Sequence, residues 1–234
     1  MKKVLSVIMV MLLCAALLCS CGKKEEVVDT GETENSVTVF AVISSEGSLE
    51  VYEEIEATDV DGDGVISVSD AIASTHNEKY DGGAAAGYLA EDTDFGISIF
   101  KLWGVENGGS YGFYQNNAFV DSLLNPVSEG DIVSAYSYSD LVGWSDVYSY
   151  FDKTVASAEG EITLTLKYIG YDENWETVHL PAANVGILVD GEPINSITDE
   201  NGTVTLILEK GEHVVSAYTD AMTLVPPVCV VTVG

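Results

Sequence analysis

Asp59-Val-Asp-Gly-Asp-Gly-Val-Ile-Ser-Val-Ser-Asp70 is the stretch on which the reading of this chain turns. Carboxylates stand at positions 1, 3, 5 and 12 of the twelve, with glycine at 6 and isoleucine at 8. Alternate side chains of a tight loop point inward, so Asp59, Asp61 and Asp63 are expected to converge. Gly64 permits the sharp turn. Val65 would offer its backbone carbonyl, Ser67 a contact through water, and Asp70 would close the shell. Hard oxygen donors at this spacing suit Ca²⁺, which takes roughly six to eight of them. The expected metal residues are therefore Asp59, Asp61, Asp63, Val65, Ser67 and Asp70, and calcium is the expected cofactor.

The flanks decide what the loop joins. Val37 to Ile43 is β-branched and apolar, Glu46-Gly47-Ser48 turns, and Leu49 to Thr58 reads as a second strand. Asp70 to Lys79 reads as a helix. The loop thus links a strand to a helix. Tyr80 to Tyr88 is a glycine- and alanine-rich turn region without the Lys-Ser/Thr of a phosphate loop. Further strands are expected at Gly96–Trp103, Tyr111–Gln115, Ala118–Val120 and Ile132–Tyr138, with turns at Asn107-Gly108-Gly109 and Asn116-Asn117. Thr154 to Gly160 reads as a linker. Beyond it every segment alternates as β, as in Glu161 to Tyr168 and His213 to Tyr218, between short turns such as Asp190-Gly191. The expected fold class is mostly β with one short helix: an α+β unit over 37–153, then an antiparallel β-sandwich over 154–234.

Composition limits the partners. The chain has 234 residues and a net charge of −29, and its nine basic residues are all lysines. Such a chain repels phosphate backbones, so nucleic acid is not an expected partner. At 47% hydrophobic residues it can build real cores. Lys2 and Lys3 precede an apolar run from Val4 to Leu18, too short for a stable membrane span. Leu18-Cys19-Ser20-Cys21-Gly22 follows and resembles a bacterial lipobox. That resemblance implies a signal peptide over 1–20 and a diacylglycerol on Cys21, hence a membrane partner and an extracytoplasmic, surface-anchored location. Residues 22–36 are polar and read as a flexible tether, so 21–36 forms the lipidated Cys and its leash. Cys229 is left without a partner and reads as a small buried hydrophobe.

Several further features occur in one order. A strand hairpin precedes Ser-Val-Ser-Asp-Ala-Ile opening a helix. Gly87-Tyr88, Ile99 to Gly104, Tyr114-Gln-Asn-Asn117 and Glu129-Gly130-Asp131-Ile-Val133 follow. This order resembles the β-grasp domain of unknown function related to the C-terminal domain of transcobalamin and intrinsic factor. The resemblance covers about half the chain and implies a domain that, in transcobalamin, packs over a corrinoid. The calcium loop, with its terminal Asp, is of EF-hand type and also resembles a dockerin repeat. That likeness implies the alternative of calcium-dependent protein–protein assembly, although a second repeat is not found. Asp190-Gly191, Asp199 to Leu206 and Lys210 to Ala217 resemble carboxypeptidase-regulatory-like or other bacterial Ig-like modules, which implies a spacer or adhesive unit.

Aromatic residues crowd the stretch from Trp103 to Phe151. They read either as a sheet core with tyrosines at its margin or as a flat face for a glycan or macrocycle. On the second reading Trp103, Tyr111, Tyr114, Tyr136 and Tyr138 are the candidate ligand-binding residues. No catalytic residue is expected. His76, His179 and His213 lack zinc spacing, and no G-x-S-x-G elbow occurs. The expected function is a membrane-anchored, calcium-stabilised binding or interaction module, its partner a small molecule, a glycan or a surface protein.

Overall fold

The computed structural model describes residues 35–94 and 96–234. Cys21, the signal peptide and most of the tether lie outside the described residues. Among the described residues no helix is long and apolar enough to cross a membrane.

The fold is mostly β. Strands β1 (Ser36–Ser45) and β2 (Ser48–Thr58) form a hairpin. Its turn places Glu46 at φ 49° and Gly47 at φ 82°, the doubly left-handed geometry that follows the natural twist of a hairpin. After the aspartate loop comes helix α1 (Val68–Lys79). A second, five-residue helix, α2 (Gly83–Gly87), stands where the sequence suggested only a turn. Strands β3 (Leu89–Thr93) and β4 (Gly96–Lys101) pair as a small ribbon. Then β5 (Tyr111–Gln115), β6 (Ala118–Phe119) and β7 (Ile132–Ser137) complete a sheet ordered β2-β1-β7-β5-β6. Strands β1 and β7 are parallel, with Phe40 opposite Ile132.

Strand alternation sends Val39, Ala41, Ile43, Val133 and Ala135 to one face of that sheet. There they pack against Val68, Ala71 and Ile72 of α1 in a single core. The opposite face carries Ser134 and Tyr136 towards β8 (Val147–Phe151).

The remaining strands build two further sheets. One joins β8, β10 (Glu161–Tyr171), β11 (Thr177–Pro181), β14 (Thr203–Ile207) and β16 (Leu224–Val225). The other is ordered β13-β12-β15-β17-β9, from β13 (Glu192–Ile197), β12 (Gly186–Val189), β15 (Gly211–Tyr218), β17 (Cys229–Val233) and β9 (Val155–Ala158). Their apolar faces meet in a second core containing Leu164, Leu166, Leu206, Ile187, Val215 and Val231.

Two boundaries differ from the sequence reading. Strand β8, assigned there to the first unit, hydrogen-bonds to β10 and β16. The stretch read as a linker contains β9, which pairs in parallel with β17 at the sheet edge. Neither pairing is local, so neither leaves a mark in the neighbouring sequence. Pro226 and Pro227 separate β16 from β17, where the chain passes from one sheet to the other.

Candidate functional site

The aspartate loop begins one residue after β2 ends and closes on α1. Ile66 is buried and its carbonyl accepts the Val127 N–H at 2.9 Å. The Val68 and Ser69 N–H groups donate to the Asn125 and Leu123 carbonyls, each at 2.9 Å. A strap of chain therefore pins the C-terminal half of the loop to the first core. The N-terminal half is exposed and is shaped by its own carboxylates. Asp59 Oδ1 accepts from the N–H groups of Gly62 (2.8 Å) and Asp63 (3.1 Å), and its Oδ2 accepts from that of Gly64 (2.8 Å). Asp61 Oδ1 accepts from the Asp63 N–H at 3.0 Å, and Asp63 Oδ1 from the Val65 N–H at 2.8 Å. Gly62 and Gly64 sit at φ 78° and 92°, which lets the backbone fold over the three side chains.

One oxygen from each of Asp59, Asp61 and Asp63 lies within 4.8 Å of the others, so the three could hold a metal ion. The electrostatics fit a cation there. The Gly64 N–H, with help from Gly62 and Asp63, holds the Asp59 carboxyl below the usual range. Asp61 moves the other way. The Asp63 N–H is the strongest single influence and lowers it, but desolvation and the charges of Asp70, Asp63 and Asp59 together outweigh it. Crowded like charges of this kind are relieved by a bound cation. All available ligands are oxygens, the donor type that hard divalent cations take.

The other two side chains expected as ligands have a further task. Ser67 is the N-cap of α1, and with Asp70 it forms a capping box. Asp70 Oδ2 accepts from Ser67 N–H (3.0 Å) and Ser67 Oγ (2.6 Å), while Ser67 Oγ accepts from Asp70 N–H (3.2 Å). Asp70 Oδ1 accepts from the Val60 N–H at 2.9 Å. Asp70 is 3% exposed and stands outside the three-carboxylate group. Its three accepted bonds leave about one of its roughly four acceptor positions. Val65 is exposed.

The five aromatics read as a ligand face are packed against protein. Trp103 contacts the rings of His76 and Tyr80. The Tyr111 hydroxyl accepts from Asn107 N–H and reaches the carbonyls of Phe100 and Val105. Tyr114 and Tyr136 are buried, and the Tyr136 hydroxyl donates to that of half-buried Tyr138 at 3.2 Å. A cavity of about 20 Å³ beside Tyr136 and Tyr148 has room for one water and no more. None of the five lines the large open cleft of the molecule, which is bordered instead by Tyr52 and Tyr218.

Sequence reading gave His76 no role. It is fully buried, with Nδ1 2.7 Å from the Ile72 carbonyl and Nε2 3.0 Å from the Trp103 N–H. Nδ1–H therefore donates and Nε2 accepts, in the neutral tautomer. This ties α1 to the chain after β4. The i, i−4 spacing of His76 and Ile72 was visible in sequence; the Trp103 partner was not. His179 meets the Tyr150 hydroxyl at 2.7 Å and His213 meets Asp190 at 2.8 Å. No protein-family model, curated protein or solved structure matches this chain.

Proposed function

We propose that the chain is an extracytoplasmic, lipid-anchored binding module stabilised by one calcium ion in the Asp59–Asp70 loop. The observation that carries this reading is the convergence of the Asp59, Asp61 and Asp63 carboxylate oxygens. The strap that fixes the C-terminal half of the loop, itself anchored by buried Leu123 and Val127, supports it, since a site fixed in advance loses less entropy on binding. The sheet ordered β2-β1-β7-β5-β6 with α1 across one face supports a β-grasp arrangement for the first unit. The two sheets facing across the second core support an Ig-like sandwich for the second.

Calcium modules outside the cell bind at roughly 10⁻⁴ to 10⁻³ M. At several times that Kd, calcium adds about 1 kcal/mol or somewhat more to stability. In a unit of this size that raises Tm by roughly 2–4 °C per kcal/mol. The test is a melting curve in millimolar Ca²⁺ and in chelator, on wild type and Asp61→Ala. The expected result is a calcium-dependent rise in the wild type only. Identical wild-type curves in the two buffers would remove calcium from the proposal.

A further inference from the structure

We infer that the open cleft between the β1–β2 hairpin and the outer face of β12 and β15 is a binding site for a neutral oligosaccharide chain. The inference rests on the binding-module reading above and assigns it a site and a ligand class. The cleft encloses about 1270 Å³. That exceeds the roughly 300–1,000 Å³ of ordinary small-molecule pockets, and suits a chain of several rings more than one compact ligand. Its floor is the solvent side of β12 and β15. Val215 and Ala217 of β15 point into the second core, so Ser216 and Tyr218 point the other way, into the cleft. Leu49 and Tyr52 of β2 form one wall, and Ser145 stands at the rim.

Tyr218 is built as a platform. It is the register partner of Gly186 across β12 and β15. Its ring covers Gly186 so closely that a Cβ there would collide with ring carbons. One face of the ring is thereby held against backbone, and with the residue 45% exposed the other face is left to the cleft. An aromatic face carries partial negative charge and attracts the C–H-rich face of a pyranose ring. Tyr52 supplies a second ring on the opposite wall. Around them stand the hydroxyls of Ser48, Ser216 and Thr223, which can both donate to and accept from sugar hydroxyls, with that of Thr219, which accepts from the Ala221 N–H, and that of Ser145, which donates to Asp140 Oδ2 and can only accept.

The charges exclude the competing classes. No lysine or histidine lines the cleft, so it offers an anion no counter-charge. It contains two carboxylates, Asp190 and Asp220. Asp190 is committed: Oδ2 accepts from His213 Nδ1 and Oδ1 from the Val214 N–H, each at 2.8 Å. Asp220 is exposed and has no hydrogen-bond or ion-pair partner among the described residues. One free carboxylate in so wide a cleft is little for a cation but a good acceptor for a pair of sugar hydroxyls. A peptide adding as a strand needs a free sheet edge. Both floor strands are interior to their sheet, between β13 and β17, so no strand can add beside Tyr218; the edge strand at the cleft is β2, on the wall.

The position suits capture. The chain enters β1 at Ser36, opposite Thr58, whereas the cleft lies at the far end of the hairpin beside Gly47 and Ser48. Strand β2 spans the two ends, roughly 33 Å at about 3.3 Å per residue. The cleft therefore lies about one strand length from the point where the chain enters β1, and the metal loop, which follows Thr58, stands clear of it.

The test is titration calorimetry of the full chain with cellohexaose, xylohexaose, mannohexaose, maltohexaose and chitohexaose, and with spermine as the cationic probe. Saturable binding of at least one hexasaccharide is expected. Tyr218→Ala and Tyr52→Ala should each weaken it about tenfold or more, and Tyr218→Phe should keep it. Asp220→Asn, at an exposed position that cannot threaten the fold, should also weaken it. Flat titrations with all five sugars overturn the proposal, as does affinity unchanged in both Asp220→Asn and Tyr218→Ala. Binding of spermine alone, lost in Asp220→Asn, overturns it in favour of a cation site and leaves the binding-module reading standing. The calcium melting shift is read separately, so its absence does not count against the cleft.

Discussion

Tyr114 of β5 and Tyr148 of β8 lie face to face, their ring centroids 3.8 Å apart and their planes 9° from parallel. This stack ties the first sheet to the second. The Tyr148 hydroxyl lies 2.9 Å from Asn117 Oδ1 and 3.0 Å from Ser134 Oγ, which orients the ring. Tyr136, Ile169 and Val225 complete the cluster. Removing the ring leaves a void between two sheets that cannot collapse independently. Tyr148→Ala should therefore cost about 3–5 kcal/mol, and Tyr148→Phe, which keeps the stack and loses the hydroxyl, about 1 kcal/mol. Urea denaturation followed by fluorescence checks both. Equal losses in the two variants would show that the hydroxyl network, and not the stack, holds the sheets together.

Asp61 and Asp70 should separate the metal contribution from the helix cap. In chelator, Asp61→Ala should be as stable as wild type or slightly more so, because it relieves like-charge crowding at an exposed site. Asp70→Ala should lose about 1–2 kcal/mol even in chelator. It removes one side of the capping box and strands the Val60 N–H. Melting curves of the two variants with and without calcium form the check. A chelator-insensitive loss in Asp61→Ala would contradict this division of labour.

His76 should make the fold sensitive to mild acid. Burial lowers its pKa below the ordinary 6.5, against the opposing effect of the Ile72 carbonyl. A protonated ring would also turn an Nε2–H towards the Trp103 N–H. With the folded pKa depressed, the unfolded chain binds the extra proton first. The stability contribution is complete above about pH 6.5 and is lost as pH falls from there down through the lower folded pKa. The slope is at most about 1.4 kcal/mol per pH unit. His213 has the opposite sign. The Asp190 carboxylate and the Glu209 carbonyl raise its pKa, so its contribution is present below 6.5 and lost as pH rises through the folded value. Histidine ring NMR should show His76 titrating below the ordinary value and His213 above it. His76→Gln should flatten the stability profile below about pH 6.5. A folded His76 titrating at the ordinary value would refute the argument.

What the sequence disclosed was local. The aspartate spacing placed three carboxylates that do converge. Glu46-Gly47 and Asn116-Asn117 read as turns from their residue types, and both residues of each pair take positive φ. Strand-length alternation located most of β1, β2 and β10. What it hid was carried by distant partners. Val155–Ala158 looks like a linker until β17 arrives beside it. Strand β8 looks like the end of the first unit until β10 and β16 bracket it. The aromatic run from 103 to 151 gave no sign of which rings stack on one another. Tyr218 drew no attention because its meaning depends on Gly186, its partner on another strand. Asp70 was legible as a loop carboxylate, while its place in the helix cap needed the Ser67 geometry.

Cys229 should be silent as a thiol in the folded protein. It is fully buried in β17, packed in the second core, and is the free cysteine of the described chain. Burial, with a smaller contribution from the Asp152 charge, pushes its thiol up to about 12. The thiolate is the reactive form, and near neutral pH almost none exists. A thiol reagent must also reach it through two packed sheets. Modification of Cys229 in the native chain should therefore proceed only as fast as the second core opens. It should become fast in denaturant, at the rate of an ordinary cysteine. A native-state rate that rises with pH as a free thiol's does, without any dependence on stability, would show that the edge strand β9 leaves Cys229 accessible. Substituting Cys229 by Ser should cost more than Cys229→Ala, because the serine hydroxyl would enter an apolar core without a ready partner.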